Sequence, residues 1–101
     1  MNPRELDEQI FKKIFNKKTT IKHPYDWPTP MYSYDAGYTI NVIQEMLKKG
    51  YTCEVAHYVR SDTVVGPWCA VRFINGDNIF SADNNSYPIA TCLAALKAIE
   101  K

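Results

Sequence analysis

A tight turn, a short strand and an apolar helix, all within residues 75–101, constrain the fold of this chain most. Asn75-Gly76 lies between two apolar pairs, and this dipeptide tolerates the positive φ angles that a two-residue hairpin turn requires. After a polar loop, segment 88–99 repeats large apolar residues at helical spacing, with four alanines between them. The sequence therefore predicts a β-hairpin in a small sheet that is covered by a closing helix.

Two further helices are predicted in the first half of the chain. Asn2-Pro3-Arg4-Glu5 is typical of a helix start, because it combines a capping residue, a proline in the first turn and a glutamate that can bond back to the cap. An apolar stripe at helical spacing then continues to about Asn16. The second helix is predicted to begin with Ser33 or Asp35 as its cap and to end before Gly50.

Two segments alternate in the way that β-strands do. In segment 51–60, one face is predicted to point to the core and consists of Tyr51, Cys53, Val55, His57 and Val59. Segment 68–74 has apolar residues on both faces, so its sheet would need cover on both sides. We therefore predict an α+β fold, an alpha-beta-alpha sandwich in which a three-stranded antiparallel sheet has helices on both faces.

The chain is predicted to form a single domain over residues 1–101. A second core would leave each half too small to bury enough apolar surface. Within this domain, residues 1–18 are assigned to an N-terminal helix and residues 19–34 to a loop rich in proline and aromatic residues. Residues 35–101 are assigned to a helix, three strands and the closing helix.

Composition argues against several classes of partner. The chain is 46% hydrophobic and 23% charged with a formal net charge of +1, which is ordinary globular usage. This balance favours neither nucleic acid nor a membrane surface. No apolar run approaches the roughly 20 residues that span a bilayer. We therefore expect a cytoplasmic protein with no membrane contact, and nucleic acid is disfavoured as a partner.

Reactive side chains are few. Cys53, Cys69 and Cys92 include no C-x-x-C pair, and each falls where a small apolar residue would fit, so we expect buried thiols. His23 and His57 lack the spacing of metal ligands. We predict no catalytic residue, no metal and no cofactor. A cysteine–histidine pair would nevertheless form if His57 met Cys69 across the sheet, which leaves a small thiol-dependent enzyme as an alternative.

The densest group of aromatic side chains lies in segment 25–38. Five of the chain's thirteen aromatic residues fall there among prolines, and Tyr and Trp offer large contact areas with few rotatable bonds. The candidate binding surface combines Tyr25, Trp27, Tyr32 and Tyr34 with two arginines of the predicted sheet, Arg60 and Arg72. The alternative interpretation is that these rings pack over the sheet as an auxiliary core.

The order helix, three strands, helix over residues 34–101 resembles that of the double-stranded RNA-binding domain. That family contacts phosphates with lysines at the start of its last helix. The matching segment 86–90 carries no positive charge. RNA binding is disfavoured for this reason.

Several blocks resemble the small bacteriophage and prophage proteins described as having a phage ABA sandwich domain. They are Arg4-Glu5-Leu6-Asp7, Tyr32-Ser33-Tyr34-Asp35, Gly50-Tyr51, Ala82-Asp83 and segment 88–96. The loop between Asn84 and Tyr87 differs from the family's usual short threonine-containing link. The resemblance implies an alpha-beta-alpha sandwich encoded by phage or prophage, and it implies no activity or catalytic residue.

Three functions are compatible with these features. The first is a phage or prophage accessory protein without catalytic activity, which binds a host protein in the host cytoplasm. The second is a ligand sponge, in which the aromatic segment and Arg60 or Arg72 sequester a nucleotide-type signal. The third is a thiol-dependent enzyme using Cys53, Cys69 and His57. Homo-oligomerisation is left open.

Overall fold

A computed structural model describes residues 2–17, 30–59 and 67–100 of the protein. The elements in chain order are α1 (Pro3–Lys13), α2 (Ala36–Lys48), β1 (Thr52–Tyr58), β2 (Trp68–Asn75), β3 (Asn78–Asn84) and α3 (Tyr87–Ile99). The strands form one antiparallel sheet in the order β1-β2-β3. The predicted α+β class and three-stranded antiparallel sheet are confirmed.

Each helix begins after a polar residue whose side chain accepts a backbone hydrogen bond from the first turn. The Asn2 side chain accepts the Glu5 backbone N–H at 2.8 Å and donates to the Glu5 carboxylate at 3.0 Å, so Glu5 bonds back to the side chain of the cap residue. Asp35, one of the two predicted caps, begins α2, and Ser86 begins α3. Beyond the end of α1, Asn16 adopts φ 55°, the left-handed conformation that commonly follows a helix.

The hairpin turn between β2 and β3 lies one residue later than predicted. Asn75 pairs with Asn78, so the two turn residues are Gly76 and Asp77. Gly76 has φ 60°, whereas Asp77 does not adopt a positive φ. A turn with glycine at its first central position needs only that one positive φ, so the expectation of an Asn-Gly turn is corrected to Gly-Asp.

Helix α3 lies between the sheet and the other two helices. It contacts β2 and β3, and it also contacts α1 and α2. Four of its residues are fully buried alanines, namely Ala90, Ala94, Ala95 and Ala98. A helix that is covered on more than one side must be apolar around most of its circumference, and small residues let its neighbours approach closely. The central position of α3 therefore explains its alanine content.

The described helices cover one face of the sheet. The face toward α3 contains Cys69, Val71, Phe73 and Ala82, all of which are buried. On the opposite face, Arg72, Ser81 and Asp83 are exposed. Among the described elements, the layers therefore run from the sheet to α3 and then to α1 and α2, rather than placing helices on both faces as the alternation in β2 suggested.

The edge strand β1 is less buried than its alternation predicts. Cys53, Val55 and His57 do share the sheet face that packs against α3. However, Val55 is 39% exposed and Val59 is 79% exposed, and of the five residues expected in the core only Tyr51 is buried. Because α3 lies over β2 and β3, it does not enclose β1. The prediction that all five residues face the core is corrected accordingly.

Candidate functional site

A buried carboxylate joins three separate parts of the chain. Asp7 of α1 is 0% exposed, and its Oδ1 accepts the backbone N–H of Ser33 at 2.8 Å. The Ser33 hydroxyl donates to the Pro3 carbonyl, so the segment before α2 is held against α1 at two points. The charge of Asp7 also acts on Tyr32 and Cys92. Three blocks that carry the phage resemblance thus meet at one buried group.

Sequence reasoning did not select Asp7, although the sequence holds a signal for it. Asp7 precedes Ile10 by three positions and Ile14 by seven, so it lies on the apolar stripe of α1. A charged residue at such a position is buried and must be hydrogen-bonded. The signal marks a structural carboxylate in this fold.

Tyr32 is a core residue. It is 3% exposed, its ring stacks on Phe15 with centroids 5.1 Å apart, and Tyr38 makes an edge contact at 6.1 Å. Burial, and then the charge of Asp7, raises the pKa of Tyr32 to about 12. The auxiliary-core interpretation therefore describes Tyr32, whose side chain is not available to a partner in the folded protein.

An exposed apolar surface remains next to this buried ring. Met31, Tyr34 and Tyr38 are exposed by 43%, 64% and 39%. A shallow, open depression of about 270 Å³ adjoins them and is lined by Asp35, Gly37, Tyr38 and Asn41. We call these residues together the α2 entry surface. Of its side chains, sequence reasoning selected only Tyr34 as a binding residue.

Arg72 does not extend this surface, and Tyr25, Trp27 and Arg60 lie outside the described residues. Arg72 is exposed on β2, on the sheet face away from α3 that also carries Trp68. Tyr34 instead precedes α2 on the helical side of the molecule, so the structure does not bring Tyr34 and Arg72 onto one surface.

The thiols are placed unfavourably for catalysis. His57 does pair directly with Cys69 across β1 and β2. Burial, and then the negative charge of Asp83, raises the pKa of Cys69, while burial also raises the pKa values of Cys53 and Cys92. A raised thiol pKa lowers the thiolate fraction at neutral pH, and the thiolate is the nucleophile. Within the described ranges, no cluster of three histidine, cysteine or acidic side chains could hold a metal ion.

The free energy of unfolding is expected to fall as the pH rises above about 8.5. In the unfolded chain a thiol ionises near pH 8.5 and a phenol near pH 10, both approximate values. In the folded protein, Cys92 and Tyr32 keep their protons to higher pH. The stabilisation is therefore complete below about pH 8.5 and is lost as the pH rises toward the folded Tyr32 pKa of about 12.

Urea unfolding at a series of pH values from neutral to alkaline measures this loss. Tyr32→Phe and Cys92→Ala should each make the stability less dependent on alkaline pH, because each removes a group whose pKa is raised in the folded protein. If both variants keep the wild-type pH profile, the two residues do not cause the alkaline loss.

The fold places the chain in the class of small α+β domains with a helix-covered antiparallel sheet. A solved structure of this kind is the 2.0 Å crystal structure of a phage protein from Bacillus cereus ATCC 14579. It superimposes with a TM-score of 0.77 over 98% of this chain and 93% of that chain, at 21% sequence identity. No family model matches this chain, and no curated protein matches it. Within the described residues, no helix is long and apolar enough to cross a membrane.

Proposed function

We propose that this chain is a phage or prophage protein that acts in the host cytoplasm by binding a host protein, without catalysis of its own. The full-length fold similarity to the Bacillus cereus phage protein supports the phage origin, as do the blocks that resemble the phage ABA sandwich family. The observation that carries the binding role is the exposure of Met31, Tyr34 and Tyr38 in the α2 entry surface.

The chemistry of the α2 entry surface suits a protein partner. Tyrosine offers a rigid apolar ring with a polar tip, and methionine adapts to irregular surfaces. Asp35 and Asn41 add polar groups beside the apolar ones. An apolar centre with a polar rim is the usual anatomy of a protein–protein interface. The segment is also anchored, because Asp7 and Thr39 bond its backbone, so little ordering is required on binding.

Removing one exposed ring should weaken binding of the partner without unfolding the protein. Tyr34→Ala is expected to weaken binding by about 2 kcal/mol, or about thirtyfold in Kd, if Tyr34 is an interface anchor. Because Tyr34 is 64% exposed, the melting temperature should change little. Affinity capture from the natural host, followed by a titration with the captured protein, measures both effects.

The matched control for this experiment is Ile79→Ala. Ile79 is 58% exposed on β3, so it is a similarly exposed apolar side chain on a different part of the molecule. The Ile79→Ala variant should bind the partner as tightly as the wild type does. Equal binding by the wild type and Tyr34→Ala would contradict the proposed role of the α2 entry surface.

A nucleotide-type ligand is the second candidate, and the depression beside Tyr38 favours it. Its volume of about 270 Å³ lies just under the roughly 300–1,000 Å³ of most ligand pockets, and it is open to solvent. A protein partner is therefore placed first. Thermal-shift screening with nucleotides and cyclic nucleotides separates the two, because a ligand at 100 times its Kd adds about 2.7 kcal/mol of stability. A nucleotide-induced rise in melting temperature that Tyr38→Ala removes would place the nucleotide-type ligand ahead of the protein partner.

A further inference from the structure

The outer edge of β1 presents a row of backbone hydrogen-bonding groups. Residues of an antiparallel strand alternate between bonding one neighbour and facing the other side. The two-residue turn makes Asn75 and Asn78 a hydrogen-bonded pair, and the alternation then extends through both strand pairs. It leaves three residues of β1 with backbone N–H and C=O groups directed away from β2: Cys53, Val55 and His57.

The opposite edge of the sheet, formed by β3, is protected by a described side chain. The Lys97 ammonium donates to the Ser81 carbonyl at 2.8 Å, which places that carbonyl on the outer side of β3, as the alternation requires. A lysine that occupies an edge is a common means of preventing strand addition. Among the residues that the structure describes, no group bonds the outer backbone of β1 in this way.

We propose that a second copy of this chain pairs antiparallel along β1, with a twofold axis at Val55. In this register Val55 faces its own equivalent and Cys53 faces His57, so all three outward residues of each strand form backbone hydrogen bonds. Glu54, the only acidic or basic residue in β1 apart from His57, lies opposite Ala56. A register centred on Glu54 would instead oppose two carboxylates, which is destabilising. The register centred on Val55 therefore uses all three outward residues and avoids this repulsion.

Apolar side chains are also exposed on β1 and on helix α2. Val55 is 39% exposed on β1. Helix α2, which contacts β1, exposes Ile40 by 51% and Leu47 by 49%. Strand pairing alone gives a small interface, and burial of the two Val55 side chains against each other at the axis adds favourable free energy. The second copy thus satisfies the backbone edge and covers an exposed apolar residue of β1.

The mass of the native protein in a dilution series tests this pairing. Light scattering after gel filtration should show the wild type at twice the chain mass of 11.6 kDa at high concentration. Val55→Lys places two ammonium groups at the twofold axis and should yield the monomer with an unchanged circular dichroism spectrum. Ile79→Lys, at an exposed position on β3, should remain a dimer. A wild type that is monomeric at every concentration, or a dimeric Val55→Lys, would overturn the proposal.

If Val55→Lys fails to fold, a second variant tests the pairing along β1. Val55→Cys brings two thiols together at the axis, where paired Cα atoms lie about 5.5 Å apart, within disulfide range. Mild oxidation should give a covalent dimer whose linked peptides both contain position 55, and Ile79→Cys should give none. Absence of that link would also overturn the proposal. These residues lie outside the α2 entry surface, so failure here leaves the proposed partner binding unaffected.

Discussion

Replacing Phe73 by alanine is expected to lower the free energy of unfolding by about 3–5 kcal/mol. Phe73 is the largest fully buried side chain among the described residues, and it points from β2 toward α3. Its truncation removes apolar contacts and leaves a cavity between two layers that cannot fully collapse. Because a domain of this size has a total stability of about 5–15 kcal/mol, the loss is a large fraction of the whole.

Ile79→Ala provides the control within the same sheet. Ile79 is also a large apolar residue, but it is 58% exposed and lies on the face away from α3. Its truncation should change stability by about 0.5 kcal/mol or less. Urea unfolding followed by circular dichroism gives both values. Similar losses of stability in the two variants would contradict the conclusion that α3 covers the Phe73 face of the sheet and leaves the Ile79 face open.

Replacing Asp7 by alanine is expected to lower the free energy of unfolding by about 2–3 kcal/mol. The Ser33 backbone N–H is buried, and its partner in the folded protein is the Asp7 carboxylate. Removal of that acceptor leaves a buried donor unsatisfied and also removes a charge-assisted hydrogen bond, which is stronger than a neutral one. Asp7→Asn keeps an oxygen acceptor, so its loss should be smaller.

Hydrogen exchange distinguishes this local effect from general destabilisation. In Asp7→Ala, the Ser33 amide should lose protection by a larger factor than amides of β2 do. Glu8→Ala, the same kind of truncation one residue further along α1, should leave the Ser33 amide protected. Unchanged protection of Ser33 in Asp7→Ala would show that the carboxylate does not hold this segment. Because Tyr34 belongs to the same segment, Asp7→Ala should also weaken capture of the partner.

The candidate site was only partly predictable, because neighbouring residues of the same type differ in burial and the sequence does not show which of them is buried. Tyr32 and Tyr34 are the same residue type, two positions apart and in one aromatic segment. The stacking of Tyr32 on Phe15 buries it at 3% exposure, whereas Tyr34 is 64% exposed. Phe15 is distant in sequence, so no local pattern reveals this contact. The composition of the segment indicated a cluster of rings without indicating which ring faces solvent.

The hairpin turn was predicted correctly from the local sequence, but its position is shifted by one residue. Asn75-Gly76 predicted a turn, and a turn occurs there. Its exact residues follow from the pairing of β2 with β3, which aligns Phe73 with Phe80. That register places the turn at Gly76 and Asp77, because a shift of one residue would turn each strand's buried side chains to the wrong face.

Features that depend on interactions over a few residues were readable from the chain before folding was considered. Helix starts at Asn2 and Asp35 and the alternation in β2 all follow from hydrogen bonds and periodicity between near neighbours. The central position of α3 and the exposure of Val55 at an edge follow instead from the packing of distant elements. Burial of a residue depends on which distant elements cover it, and that free energy belongs to the assembled fold rather than to any short segment.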